Sequence, residues 1–261
     1  MTLLKHELKQ GWKSFLIWTI SIGFFVAICV FMYPEMKDDM DGVNEMFSSM
    51  GAFTAAFGMD RLNFGTLIGF YSVECGNILG IGGAFFAAMI AINALAKEEK
   101  ERTAEFLLAH PISRAQIITE KLSAVLLQVI LMNVLILALS ILSIFLIEEE
   151  IPWKELLFLH LAYFLVQIEL SGICFGISAF LRRSGIGIGL GLSAAFYFIN
   201  IIANISDQAK FLKYLTPFGY AEGADIIANG GLDLPMVLVG MAAAIIGIAA
   251  AYLEYTKKDI H

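Results

Sequence analysis

Charge is what this sequence has least of. Only 16% of its 261 residues are charged, against roughly a quarter in soluble domains, which excludes an ordinary water-soluble globular fold. Histidine is also scarce. His6, His110, His160 and His261 stand singly, and no His-Glu-x-x-His pair offers the two same-face ligands of a zinc hydrolase. The three cysteines, Cys29, Cys75 and Cys174, fall in or at the edge of apolar runs. They read as small packing residues rather than a disulfide framework. No Gly-x-x-x-x-Gly-Lys-[Ser/Thr] loop occurs, so the chain lacks the backbone cradle for nucleotide phosphates. Any ATP-driven work would need a motor on another polypeptide. The run GIGIGLG at 185–191 is no substitute: it lacks the Gly-x-G-x-x-Gly spacing after a strand and lies in an apolar run, where glycine serves packing.

What is abundant is apolar length. The chain is 59% hydrophobic, with mean hydropathy +0.77. Crossing the hydrocarbon takes about 20 apolar residues at 1.5 Å rise each. Six stretches meet or approach that length, at about 15–33, 68–96, 122–147, 156–180, 185–203 and 234–253. The fold class is therefore an all-α polytopic membrane protein with six transmembrane helices in a single domain over 1–261. No stretch between the runs is long enough for an independent globular domain, and no basic surface domain exists to hold nucleic acid. The first run is expected to be an uncleaved span, since it exceeds a signal peptide's apolar core and no small-x-small site follows.

Lysine and arginine set the orientation. Twelve fall on the side that holds 1–14, 97–121, the turn after span 4 and the C-terminal tail, and five on the other side. Both termini are expected in the cytoplasm. Residues 1–14 place Leu3, Leu4, Leu8 and Trp12 near one helical face and Lys5, Lys9 and Lys13 on another, as an interfacial elbow helix would. The outer loops, 34–63 and 204–233, are expected to carry short helices, the first interrupted at Gly51 and Gly58, the second at Pro217 and Gly230–Gly231. The links after spans 3 and 4 are short, which predicts that spans 3, 4 and 5 are sequential antiparallel neighbours. Glycines four apart, such as Gly172/Gly176, Gly185/Gly189 and Gly187/Gly191, predict close helix approach.

Two features carry candidate function. Glu169 lies in span 4, about 18 Å from the inner boundary by helical rise, and Asn133 in span 3 reaches a similar depth. A carboxyl at that depth is costly and needs a partner or a polar cavity. Glu169 is expected to be protonated or bonded to Asn133, Gln167 or Gln128. The four residues either line a polar translocation path or act as interhelical glue. The second feature is the charge-dense stretch 97–121, KEEKERTAEFLLAHPISRAQIITEK, held between spans 2 and 3. Its helix formers alternate acid and base, then Phe106, Leu107 and Leu108 add apolar bulk and Pro111 breaks the chain. A solvated connector needs neither the apolar triplet nor the sharp turn; a short helix docking into a cytosolic partner uses both. Glu98-Glu99 with Phe106 and His110 superficially fits a prenyl-protein protease motif. Arg102 falls one position short of that spacing, and no further histidine motif follows.

In this stretch Glu98, Glu99, Thr103, Glu105, Leu107, Leu108, Pro111, Ser113, Arg114 and Lys121 resemble the pattern of ABC-2-type permease subunits of ABC exporters. The six-span layout, the elbow helix, the YLTPF segment at 214–218 and the tail at 257–260 are similar to that family as well. Arg102 stands where many members have glycine. The resemblance implies a multi-pass protein of the cytoplasmic membrane, bacterial, without enzymatic activity of its own. It implies a cytosolic ABC ATPase as partner, with ATP and magnesium bound there and no cofactor in this chain. A second permease chain would complete a homodimer or heterodimer among membrane lipids. The coupling residues would be Glu98, Glu99, Arg102, Thr103, Glu105, Phe106, Leu107, Leu108, Pro111, Ser113 and Arg114. The cargo it points to is hydrophobic or amphipathic, a peptide, toxin or antibiotic-like compound. A non-transporting membrane scaffold or assembly factor is the alternative, separated by whether ATPase activity rises when both subunits are reconstituted.

Overall fold

The computed structural model describes residues 2–37, 40–97 and 112–257. Its first helix, α1 (Thr2–Lys37), is a single run of 36 residues, about 54 Å at helical rise. That exceeds the ~30 Å hydrocarbon layer. Residues 2–14, expected as an interfacial helix leading into the first span, run into it without a break. Pro34 lies inside the helix rather than ending it. The last turns are pinned instead by Tyr33, whose hydroxyl donates to Gly65 O at 2.9 Å, and by Lys37, which pairs with Glu149 at 2.7 Å.

The segment after α1 holds α2 (Met40–Ser49), α3 (Ala52–Ala56) and a 3-10 turn (Met59–Arg61). It breaks at Gly51 and Gly58, whose φ of 58° and 66° lie in the region that favours glycine. Span 2 is built from α4 (Leu67–Asn77), a π turn (Ile78–Gly82) and α5 (Gly83–Asn93). The apolar run at 68–96 had no mark of that π turn. Around it, small residues admit neighbouring side chains: the ring of Tyr163 covers Gly80, and Ile22 lies over Gly82.

The remaining long helices are α6 (Arg114–Leu146), α7 (Trp153–Ser178), α8 (Ile186–Ile205) and, after the outer segment, α10 (Leu234–Lys257). That segment contains 3-10 turns at Asp207–Leu215 and Pro217–Tyr220 and the short helix α9 (Gly223–Asn229), closed by Gly230 in the left-handed conformation. Six helices are long and apolar enough to cross a membrane, and no strand occurs among the described residues. Exposed Ile17, Phe24, Phe25, Val134, Leu135 and Ile246 give the bundle the apolar exterior that lipid requires.

Helix α7 is the axis of the bundle. It packs along α10 and α5, while α1 lies on α6. The α7–α10 seam is a glycine seam: a methyl on Gly172 would sit 2.7 Å from Ala244 Cβ, and one on Gly176 would sit 2.5 Å from Gly247 O. Spans 3 and 4 are neighbours as anticipated, but span 5 is not a neighbour of span 4. Helix α8 packs mainly on α5 and on the turn at 207–215. The short link holds helix ends together without making the axes run side by side. Gly189 fits against Ile92 and Ala88 O of α5, which draws α8 there. Gly187 and Gly191 meet nothing.

The start of α1 and the end of α10 lie at one end of the bundle, with residues 93–97, 112–121 and 184–186. Lys97 reaches Glu7, Arg114 reaches Tyr255, and Asn93 accepts from Ser184 and Gly185. The opposite end gathers 34–66, 147–153 and 204–233, through Lys37–Glu149 and Asn204–Ala56.

Candidate functional site

Glu98, Glu99, Arg102, Thr103, Glu105, Phe106, Leu107, Leu108 and Pro111 lie outside the described residues, as do 258–260 of the tail. The base on which the 98–111 segment stands is described, and it is gripped at both edges. On the far edge Ser113 caps α6: its backbone is extended (φ −75°, ψ 150°) and its hydroxyl accepts from Gln116 N at 3.1 Å. Arg114 then donates to the carbonyls of Tyr255 and Thr256 at 3.2 and 3.3 Å. Those carbonyls lie near the C-terminal end of the described α10, where the helix dipole favours a cation. One turn further on, Thr119 bonds Tyr252 at 2.7 Å.

On the near edge Lys97 pairs with Glu7 at 3.4 Å and donates to Gln10. Lys121 of α6 reaches the same Glu7 at 3.1 Å and donates to Ala94 O at 2.7 Å. Its side chain is only 1% exposed. Glu120 accepts from Leu4 N at 2.9 Å and from Gln116 at 3.0 Å, so an α6 carboxylate satisfies one free donor of the first turn of α1. A cavity of about 310 Å³ opens beside these contacts, lined by Ser14, Asn93, Gln128, Lys97 and Lys121 among others. The 98–111 segment is thus tied at its roots to the first and last helices of the chain.

The four polar span residues do not form one stripe. Asn133 donates to Gln167 at 2.7 Å, and Gln167 lies against Gly83. Gln128 donates to Ala124 O at 3.1 Å and borders the cavity near Gly11. Glu169 bonds none of the three. It is fully buried against Gly240 of α10 and accepts from the Tyr220 hydroxyl at 2.9 Å. Distance along the chain hid this partner, since Tyr220 sits in a turn 51 residues later.

Sequence reasoning also passed over the opposite end. There Asn204 donates to Glu222 at 2.7 Å beside a cavity of about 40 Å³ lined by Ser72, Asn77, Tyr163, Tyr197 and Asn200. Burial pushes the Glu222 carboxyl up, opposed by the Asn204 bond and the Lys213 and Arg61 charges. Burial also acts to raise Asp225, but its contacts with Lys213 and Arg61 outweigh it and hold that carboxyl below its ordinary value. Glu7 was missed as well, although it is the sole acid in the first 34 residues.

Six apolar helices, the first starting and the last ending at the same face of the bundle, agree with a match along nearly the whole chain. The profile of the family described as ABC-2 family transporter protein covers residues 1–260. The chain belongs to the ABC-2 transporter family. No curated protein matches it significantly. This ABC-2 permease is a multi-pass membrane protein of the type found in bacterial cell membranes. It is the membrane component of an ABC transporter, whose ATPase is a separate subunit.

Proposed function

We propose that this ABC-2 permease exports a hydrophobic or amphipathic compound and takes its power stroke through residues 98–114. Two permease chains pair, each carrying one cytosolic ATPase subunit with its ATP and magnesium. Glu98, Glu99, Arg102, Thr103 and Glu105 supply the polar contacts to the ATPase, and Phe106, Leu107 and Leu108 the apolar knob. Pro111, Ser113 and Arg114 turn the chain back into α6. The observation that supports this most is the anchoring of the segment's roots: a push on it meets Arg114 on α10 and Lys97 and Lys121 on Glu7 of α1. A free connector has no need of such bracing. The excess of lysine and arginine at this end supports a cytoplasmic position for it, where an ATPase can reach it. The apolar exterior and the 21 Phe and 11 Met suit a greasy cargo.

Reversing the charges of Glu98 and Glu99, or replacing Phe106 by Asp, is expected to abolish ATPase co-purification while the permease still inserts. Retained ATPase binding with coupled hydrolysis in both variants overturns the assignment. For the span carboxyl, Glu169→Gln is expected to leave export unchanged, because Glu169 is enclosed by α7, α10 and Tyr220 within one subunit. Selective loss of cationic cargo in that variant would return Glu169 to the translocation path.

A further inference from the structure

One carboxylate joins the near edge of the 98–111 segment to the body of α6. Glu7 Oε2 accepts from Lys97, the residue immediately before the segment, at 3.4 Å. Its Oε1 accepts from Lys121, ten residues after Pro111, at 3.1 Å. The three side chains are 14%, 22% and 1% exposed, so water screens the joint weakly. Lys121 uses a second proton on Ala94 O just past α5. Three elements, α1, the end of α5 and the start of α6, therefore meet on one anion.

Packing alone does not make this joint. The cavity of about 310 Å³ lies among the same residues, and Met89, Ala124 and Val125 share its wall with Glu7 and Lys121. The Gln128 carbonyl oxygen, buried on that wall, has no hydrogen-bond partner among the described residues. Apolar contact passes displacement on only where atoms are in van der Waals contact. Across an open cavity, the charge-assisted bonds of Glu7 bridge the gap.

We infer that Glu7 is a positioning residue for the coupling segment: it carries movement at Lys97 and Lys121 into α1. The inference rests on the reading of 98–114 as the ATPase contact. A displacement of the segment reaches α6 covalently, α10 through Arg114, and α1 through its packing on α6 and through the polar contacts of Glu7, Gln10 and Glu120 at its start. A static ion pair would behave otherwise. Buried ion pairs are commonly replaced by apolar residues of similar size without loss of stability, so a static pair predicts neither a stability change nor a functional one.

The test uses the permease purified with its ATPase subunit in proteoliposomes. The double variant Glu7→Met with Lys121→Met is expected to insert and to retain the ATPase at the wild-type ratio. Its permease-dependent stimulation of ATP hydrolysis is expected to fall about tenfold, within the usual span of inter-site coupling, and Glu7→Asp is expected to restore most of it. Hydrolysis within about twofold of wild type in the double variant, below that span, overturns the inference. If the double variant does not insert, amide exchange in the wild-type complex decides. Trapping with ATP and vanadate is expected to change exchange in residues 2–14 together with 98–114. A change at 98–114 alone overturns the role of Glu7. Failure of the wild-type permease to bind any ATPase overturns the coupling reading and this inference with it.

Discussion

Glu169 shows how a residue conspicuous in the sequence can find its partner on a distant turn. Its depth in span 4 marks it as costly; the Tyr220 hydroxyl bonds Oε1, while Oε2 is buried against Gly240 with no hydrogen-bond partner among the described residues. A methyl at 240 would overlap the Glu169 carboxylate. Gly240→Ala should therefore destabilise the permease by about 1–3 kcal/mol as overpacking does, despite the ~1 kcal/mol helix-propensity gain from Gly to Ala. Combining it with Glu169→Ala should recover most of the loss, since the overlap disappears with the carboxylate. Thermal unfolding in detergent reads both, and a single variant as stable as wild type would show that the site has slack. Glu7 is the converse case: a lone acid among lysines that looks like a solvated helix face until Lys97 and Lys121 arrive from 90 and 114 residues away.

At the scale of elements, glycines with the same spacing do different work. Gly172 and Gly176 on α7 let the backbone of α10 approach to contact, whereas Gly187 and Gly191 on α8 face open space. Gly176→Val should separate α7 from α10, with loss of folded protein in detergent measured by monodisperse recovery. Gly187→Ala should leave that recovery unchanged or slightly raised, as helix propensity predicts. Equal effects from the two substitutions would deny the seam its role. The spacing alone announces close approach without saying which helix approaches. The same shortfall explains span 5, assigned to span 4 by a short link and found against α5, because the link constrains two ends while the packing face is chosen by shape.

For the whole molecule, the two ends of the bundle are closed by different means. One end is braced by Glu7, Glu120 and Arg114 around the roots of the 98–111 segment. The other is closed by Asp225, which joins Arg61 of the 34–63 segment to Lys213 of the 204–233 segment, with Glu222 buried beside it. The two carboxyls respond oppositely to acid. Asp225 is held below its usual 3.8, so its stabilising contribution is full above 3.8 and is lost as pH falls through the lower folded value. Glu222 is raised above 4.5, so its burial costs most at neutral pH and that cost declines as pH falls toward 4.5. Glu222→Gln, which keeps an acceptor for Asn204, should match or exceed wild-type stability at pH 7 and should lack the gain on acidification toward 4.5. Unfolding curves across that window measure it. A variant less stable than wild type at pH 7 would mean that the charge of Glu222 is wanted there.

Much of this architecture was determined by the sequence on its own. Run length placed six spans, although α1 and α6 begin well before the apolar runs at about 15–33 and 122–147. Gly51, Gly58, Pro217 and Gly230 marked breaks that the backbone obeys, and the alternation of spans put both termini at one end. These are local properties, set by the hydropathy and backbone freedom of neighbouring residues. The π turn in span 2, the seating of α8 on α5, the Tyr220 partner of Glu169 and the Glu7 joint were decided only by the tertiary structure. Each depends on which distant surfaces meet, and a buried charge or a bare glycine specifies a need without naming the residue that meets it.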